Sequence, residues 1–133
     1  MNSIRASSFL RRVLLVDAVC SGAMGLGLVA FTDLFARVLQ LPAQLLSEAG
    51  LVLLPFAAFV GYIASRATPA RFAVWAIIAL NVIWVVDSIV LLFTGWVAPN
   101  ALGYAFVVAQ ALVVAALADL EYVGLKKSAA LAV

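Results

Sequence analysis

The sequence contains no histidine, a single cysteine and few charged residues. Without histidine, the chain lacks the usual axial ligand of haem, the commonest protein ligand of zinc and the commonest general base. Because Cys20 is the only cysteine, an intrachain disulfide and a CxxC redox pair are both excluded. We therefore expect no metal and no cofactor. An enzymatic role stays open, although the sequence favours a protein without catalytic residues.

Charge is scarce, since 11% of the 133 residues are charged and 68% are hydrophobic, with a mean hydropathy of +1.24. A soluble domain has about 25% charged residues and is about half apolar. So few charges cannot cover a globular surface, and the surface must therefore face lipid. The net charge of +2 does not indicate nucleic-acid binding, because the basic residues form neither a stripe nor a patch.

Four apolar stretches predict four membrane-spanning helices. The predicted spans are about 9–31, 50–65, 72–94 and 101–120. A helix needs about 20 residues to cross the bilayer core, so the second stretch is short, and Pro55 lies within it. Asp17 interrupts the first stretch and no clean small-x-small cleavage site follows, so we expect a retained helix rather than a signal peptide. GWVAPN, with Pro99, forms a tight connection between the last two spans.

The connection after the first span, FTDLFARVLQLPAQLLSEAG, is too polar to cross the bilayer. Thr32 can cap a short helix here, and Pro42 would end it. The apolar face of this helix would be formed by Leu34, Phe35, Val38 and Leu39. The predicted fold is therefore all-α. It is a four-transmembrane-helix bundle, one membrane domain over residues 1–133, with a short interfacial amphipathic helix after the first span.

The basic residues are distributed unevenly along the chain. Seven of the eight lie in the amino-terminal segment, the second connection or the carboxyl-terminal tail, at Arg5, Arg11, Arg12, Arg66, Arg71, Lys126 and Lys127. With four crossings, these three segments fall on one side of the membrane. By the positive-inside rule we expect a multi-pass protein with both termini in the cytoplasm.

Polar residues within the spans are the candidate functional residues. An acid at mid-helix costs about 2.5 to 3.5 kcal/mol, so Asp17 and Asp87 need an explanation. At about 100° per residue, Asn81, Trp84 and Asp87 share about one third of the third helix. Gln110 should lie at about the depth of Asn81. We interpret these five residues as an interior polar seam that binds a small ligand or a proton.

Three of these residues also have a structural explanation. Asn81 and Gln110 can join helices through hydrogen bonds worth about 0.6 kcal/mol each. Asp17 can snorkel towards the membrane surface or pair with a nearby arginine. Asp119 and Glu121 lie where the fourth span ends, and we interpret them as a solvated face.

Several segments resemble a group of small uncharacterised bacterial integral membrane proteins similar to the DoxX-like four-helix proteins. They are LRRVLLVDAVCSGAMGLGL, LNVIWVVDSIVLLFTGWVAPNALG and the stretch from Gln110 to Glu121 and Tyr122. The resemblance implies four helices and an inner-membrane location. DoxX-like proteins are linked with quinol-oxidase or redox partners, a role that we do not transfer to this chain. Small multidrug transporters also have four helices, but their membrane-embedded glutamate has no match here, and Asp17 is the nearest position.

Two functions from different classes fit these features. The first is binding or transport of a small apolar or cationic ligand, or of a proton, by the polar seam. The second is a structural accessory subunit of a larger inner-membrane complex, such as a respiratory complex. The expected partners are the lipid bilayer and either a small ligand, a second copy or a membrane-complex subunit. An enzyme acting on a lipid ranks third, because no nucleophile, base or metal set supports it.

Overall fold

Helices dominate the fold in a computed structural model, which describes residues 3–130. They are α1 (Ser8–Ala30), α2 (Thr32–Leu39), α3 (Ala43–Ser65), α4 (Arg71–Phe93) and α5 (Ala101–Lys127), with short strands β1 (Ile4–Arg5) and β2 (Ala129–Ala130). Within residues 3–130, the four helices α1, α3, α4 and α5 are long and apolar enough to cross a membrane. The predicted all-α, four-span bundle is confirmed, and the chain is a multi-pass membrane protein.

Two of the long helices extend beyond the predicted spans. α3 begins at Ala43 rather than at residue 50, and it passes through Pro55 without ending. α5 continues beyond residue 120 to Lys127. Polar neighbours lower the hydropathy of both extensions, but each extension still buries apolar side chains, Leu46 on α3 and Leu125 on α5. Burial of one face therefore lengthens these helices past the apolar windows.

Contacts between connections close the two ends of the bundle. At the end that carries both termini, called the terminus end below, β1 pairs with β2 and the Ile4 amide donates to the Pro69 carbonyl at 3.0 Å. At the opposite end, called the α2 end, Asn100 caps α5 by accepting from the Gly103 amide at 2.7 Å. The Asn100 side-chain amide also donates to the Val38 carbonyl at 2.8 Å and ties α5 to α2.

The long helices form two tightly packed pairs. α1 packs along α3, α4 packs along α5, and the contact between α1 and α5 joins the pairs. α1 and α3 approach closely because Gly25 faces Gly50, where an added Cβ would lie 2.9 Å from the Gly25 carbonyl oxygen. By contrast, α3 and α4 touch only sparingly. This uneven packing leaves space between α3 and α4.

The predicted amphipathic helix is present as α2, but only part of its apolar face packs inward. Leu39 is buried in an apolar cluster at the α2 end, and Phe35 packs against the same cluster. Its other buried members are Leu28, Leu41, Leu46, Leu53 and Val107. Leu34 and Val38 are exposed. The outward side chains of the long helices are apolar as well, as at Leu26, as expected of a surface that contacts lipid.

Candidate functional sites: a closed carboxyl cluster and an open cleft

Polar side chains from α1, α4 and α5 meet inside the bundle towards the terminus end. Residues three or four apart share a face of a helix, and each polar residue continues the buried stripe of its own helix. The stripe on α1 includes Leu10, Leu14 and Asp17. The stripe on α4 includes Val74, Ile77, Ile78 and Asn81. The stripe on α5 includes Val107, Ala111, Ala118, Glu121 and Leu125.

The amide of Asn81 links two carboxyl groups. Its Nδ2 donates to Oδ2 of Asp17 at 2.8 Å and to Oε1 of Glu121 at 2.8 Å. The Ser21 hydroxyl donates to Oδ1 of Asp17 at 3.0 Å. Asp17, Asn81 and Glu121 are 1%, 4% and 0% exposed, and we call these three residues the carboxyl cluster. The cluster is therefore sealed from the exterior.

One oxygen of the carboxyl cluster lacks a partner. Oε2 of Glu121 is buried and accepts no hydrogen bond from any described residue. A buried polar group without a partner costs about 1–3 kcal/mol. The donors described for the other carboxyl oxygens, from Asn81 and Ser21, are neutral. The cluster thus combines two acids, neutral donors and an unpartnered oxygen.

A second polar network lies between α4 and α5 towards the α2 end. The Trp84 indole donates to Oε1 of Gln110 at 2.8 Å. The Gln110 amide donates to the Ser88 hydroxyl at 3.0 Å and to the Val107 carbonyl at 2.8 Å. The Ser88 hydroxyl in turn donates to the Trp84 carbonyl at 2.7 Å. Every heteroatom of the Gln110 side chain is therefore engaged.

This network borders an open cleft of about 500 Å³ between α3 and α4. The cleft is mainly apolar, and its lining includes Met24, Leu28, Leu46, Val52, Leu91 and Phe106. Its polar lining residues include Trp84, Ser88, Gln110 and the two acids Glu48 and Asp87. Both acids are exposed. Pockets for small ligands occupy about 300–1,000 Å³, are mostly apolar and carry a few placed polar groups, so the cleft has the size and lining of such a pocket.

The predicted single seam is divided between two sites. Asp17 and Asn81 belong to the carboxyl cluster, whereas Trp84, Gln110 and Asp87 line the cleft. Among the described residues, no hydrogen bond joins the two groups. The expectation that Gln110 lies level with Asn81 is wrong, since Gln110 bonds Trp84 and Ser88 instead. The reason is the length of α5, whose midpoint falls later than Gln110.

Asp87 does not share the buried face of Asn81. Six residues separate them, and at about 100° per residue this rotates Asp87 by about 120° from Asn81. Asn81 is 4% exposed, whereas Asp87 is exposed and lines the cleft. The structure thus places Asp87 at the cleft rather than in the closed interior.

The interpretation of Glu121 as part of a solvated face is wrong. Its side chain is 0% exposed, whereas that of its neighbour Asp119 is exposed. α5 does not end at residue 120, so Glu121 still lies on the inward stripe. The signal in the sequence was the spacing from Ala118 to Glu121 to Leu125, which repeats the helical period across the end of the apolar window.

Comparison of the chain with protein-family models, with curated proteins and with solved structures found no match. The resemblance to DoxX-like proteins therefore stays a prediction.

Proposed function

We propose that this protein binds, and in the membrane transports, a small amphiphilic cation through the cleft between α3 and α4. The main support is the apolar cleft of about 500 Å³, which is lined by two acids and by the hydrogen-bonded indole of Trp84. The ligand would have an apolar body and one positive charge. This proposal narrows the predicted range of apolar and cationic ligands to molecules with both properties.

The acids support the preference for a cation. Glu48 and Asp87 both line the cleft, one from α3 and one from α4. The described partner of Glu48 is the neutral Gln44 amide, which donates to Oε1 at 3.1 Å. Seven of the eight basic residues belong to the segments of the terminus end, away from these acids. A cation entering the cleft therefore approaches negative charge at its mouth.

The aromatic and amide groups support an amphiphile rather than a simple ion. Trp84 and Phe106 supply ring surfaces in the cleft, which can hold an apolar body or attract a cation. Gln110 fixes the indole of Trp84 through the bond at 2.8 Å. Because α3 and α4 touch only sparingly, a ligand dissolved in the bilayer can enter sideways between them.

The binding test uses tetraphenylphosphonium, a cation with an apolar body, and tetraphenylborate, an anion of the same shape. Purified protein in lipid nanodiscs is titrated with each ion while tryptophan fluorescence is recorded, with empty nanodiscs as the blank. We expect saturable quenching with tetraphenylphosphonium only. Asp87→Asn and Glu48→Gln should each weaken its binding by about three- to tenfold, or about 0.7–1.4 kcal/mol.

Asp119→Asn is the matched control, because Asp119 is an exposed acid outside the cleft. Its affinity for tetraphenylphosphonium should equal that of the wild type. Equal binding of both ions, or equal loss with Asp119→Asn and Asp87→Asn, would contradict the proposed cleft site.

We also propose that the terminus end faces the cytoplasm of a bacterial inner membrane. The support is the distribution of seven basic residues over the segments of that end, against Arg37 alone on α2. A fluorescent protein fused to the carboxyl end should fold and fluoresce, whereas alkaline phosphatase at the same place should be inactive. The reverse pair of results would overturn this orientation.

The alternative of an accessory subunit makes a different prediction for the same protein. Native mass spectrometry of gently extracted membranes would then show stoichiometric protein partners and no retained small molecule. A retained amphiphile on a protomer or dimer would support the ligand-binding function instead.

A further inference from the structure

The carboxyl cluster lies outside the cleft, so ligand binding in the cleft does not explain why two acids are buried in the cluster. Asp17 and Glu121 come from helices at opposite ends of the sequence, yet one amide nitrogen bonds both at 2.8 Å. Because both bonds share the Asn81 nitrogen, the two carboxyl groups lie on either side of one amide. Oε2 of Glu121 is the buried oxygen that accepts no bond from a described residue.

Among residues 3–130, no basic side chain donates a hydrogen bond to this pair of acids. The donors described for it are an amide and a hydroxyl. The nearest charged or titratable residues along the helices are Arg11, Arg12 and Cys20 on α1, Tyr62 on α3 and Arg66 just after it, Arg71 and Asp87 on α4, and Asp119, Tyr122 and Lys126 on α5. Arg71 is half-buried, and the others are exposed. The Arg66 guanidinium carbon lies 5.7 Å from the centre of the Tyr62 ring, and the Lys126 Nζ lies 5.1 Å from the centre of the Tyr122 ring. These two cations therefore contact aromatic rings.

Two ionised carboxylates without a counter-charge are too costly for a sealed apolar interior. A proton removes one charge and turns one carboxylate oxygen into a donor. We propose that the carboxyl cluster is a proton-binding site in which Asp17 and Glu121 share one proton. The proton is bonded to Oε2 of Glu121. The hydroxyl formed there donates to Asp17, while Asn81 continues to donate to both acids.

A metal ion or sodium ion fits the cluster less well than a proton. The Asn81 nitrogen directs its hydrogens into the space between the acids, and a cation placed there would be repelled by them. Among the described residues, no group of three or more His, Cys, Asp or Glu side chains could hold a metal ion. A proton needs only the two oxygens that are present.

The test exploits the small number of acids in the chain. The sequence has six Asp and Glu residues, so the quadruple variant Asp33→Asn, Glu48→Gln, Asp87→Asn, Asp119→Asn leaves Asp17 and Glu121 as the only side-chain acids. The infrared spectrum of this variant in lipid is recorded at neutral pH. We expect the C=O stretching band of a protonated carboxylic acid, shifted in heavy water and equal in intensity to one group.

Adding Glu121→Gln or Asp17→Asn to the quadruple variant should abolish this band. The remaining acid then has no second carboxylate with which to share a proton, and it ionises with amide donors around it. The wild-type protein should show the same band, so the test does not depend on any one variant folding. Absence of the band in both proteins would overturn the proposal. Loss of the band on adding sodium chloride at constant pH, but not on adding choline chloride, would assign the site to sodium instead.

Discussion

The two halves of the bundle treat polar residues in opposite ways. Towards the terminus end, Asp17, Asn81 and Glu121 are sealed, and their partners are chiefly one another. Towards the α2 end, Trp84 and Gln110 border a cleft that opens between α3 and α4. The difference follows from packing. Towards the terminus end all four long helices bury side chains in one apolar cluster, which includes Leu14, Val60, Ile77 and Leu125, whereas α3 and α4 separate around the cleft. Sealing suits the retention of a proton, and opening suits the exchange of a ligand.

Among the variants that test this comparison, Asn81→Leu should lose the most stability. The substitution removes the shared donor of two buried acids, each of which costs about 1–3 kcal/mol when left without a partner. We expect a loss of at least about 2 kcal/mol in the free energy of unfolding, well above the average of about 0.6 kcal/mol for a hydrogen bond between membrane helices. Reversible unfolding in mixed micelles measures it. Ile83→Leu, at an exposed position of the same helix, is the control, and equal stability of the two variants would contradict a tightly sealed cluster.

An intermediate effect is expected for Gly124→Ala, also in the closed half. A Cβ at Gly124 would lie 2.9 Å from the Leu10 Cα atom, so α1 and α5 would have to separate. Overpacking of this kind costs about 1–3 kcal/mol. Gly61→Ala is the matched control, because its added Cβ would meet Ala18 at an ordinary 3.8 Å. Thermal unfolding of both variants should show a lower midpoint for Gly124→Ala alone, and a similar decrease for Gly61→Ala would argue against a specific contact between α1 and α5.

The smallest effect on stability is expected for Gln110→Leu in the open half. The indole of Trp84 loses its acceptor, but the cleft lets water or a ligand replace it, so the cost in stability should be about 0.6 kcal/mol. Tetraphenylphosphonium binding should nevertheless weaken, since Trp84 is no longer held in position. A loss of stability as large as that of Asn81→Leu would show that both halves are equally closed.

The sequence allowed the fold to be predicted more completely than the sites. Apolar windows located all four long helices. The short helix begins at Thr32, but the predicted cap is wrong: Phe31 is the N-cap, and the Thr32 hydroxyl donates back to the Val29 carbonyl of α1 at 3.1 Å. The apolar windows underestimated the lengths of α3 and α5. Hydropathy is averaged over all faces of a helix, whereas the burial of Leu46 and Leu125 depends on one face. Glu121 was misread for the same reason.

The polar residues could be selected from the sequence but not assigned to sites. Asp17 and Asn81 were candidates because buried polar groups need partners, and helical periodicity placed Asn81 inward. Which helices are neighbours depends on the packing of α1 with α3 and of α4 with α5, and periodicity within one helix carries no information about it. The division of one predicted seam into a closed cluster and an open cleft therefore required the three-dimensional structure.

The most direct test compares two half-buried serines, Ser88 at the cleft and Ser21 beside the carboxyl cluster. In a Cys20→Ser background, Ser88→Cys places a thiol in the cleft, and Ser21→Cys places one beside Asp17. Each protein in nanodiscs is treated with a water-soluble methanethiosulfonate reagent, with and without tetraphenylphosphonium, and modification is counted by mass spectrometry. We predict that the Ser88→Cys thiol reacts and that tetraphenylphosphonium protects it, while the Ser21→Cys thiol stays unmodified. Equal reaction of both thiols, or reaction of the Ser88→Cys thiol without protection, would contradict the account of an open ligand cleft beside a closed carboxyl cluster.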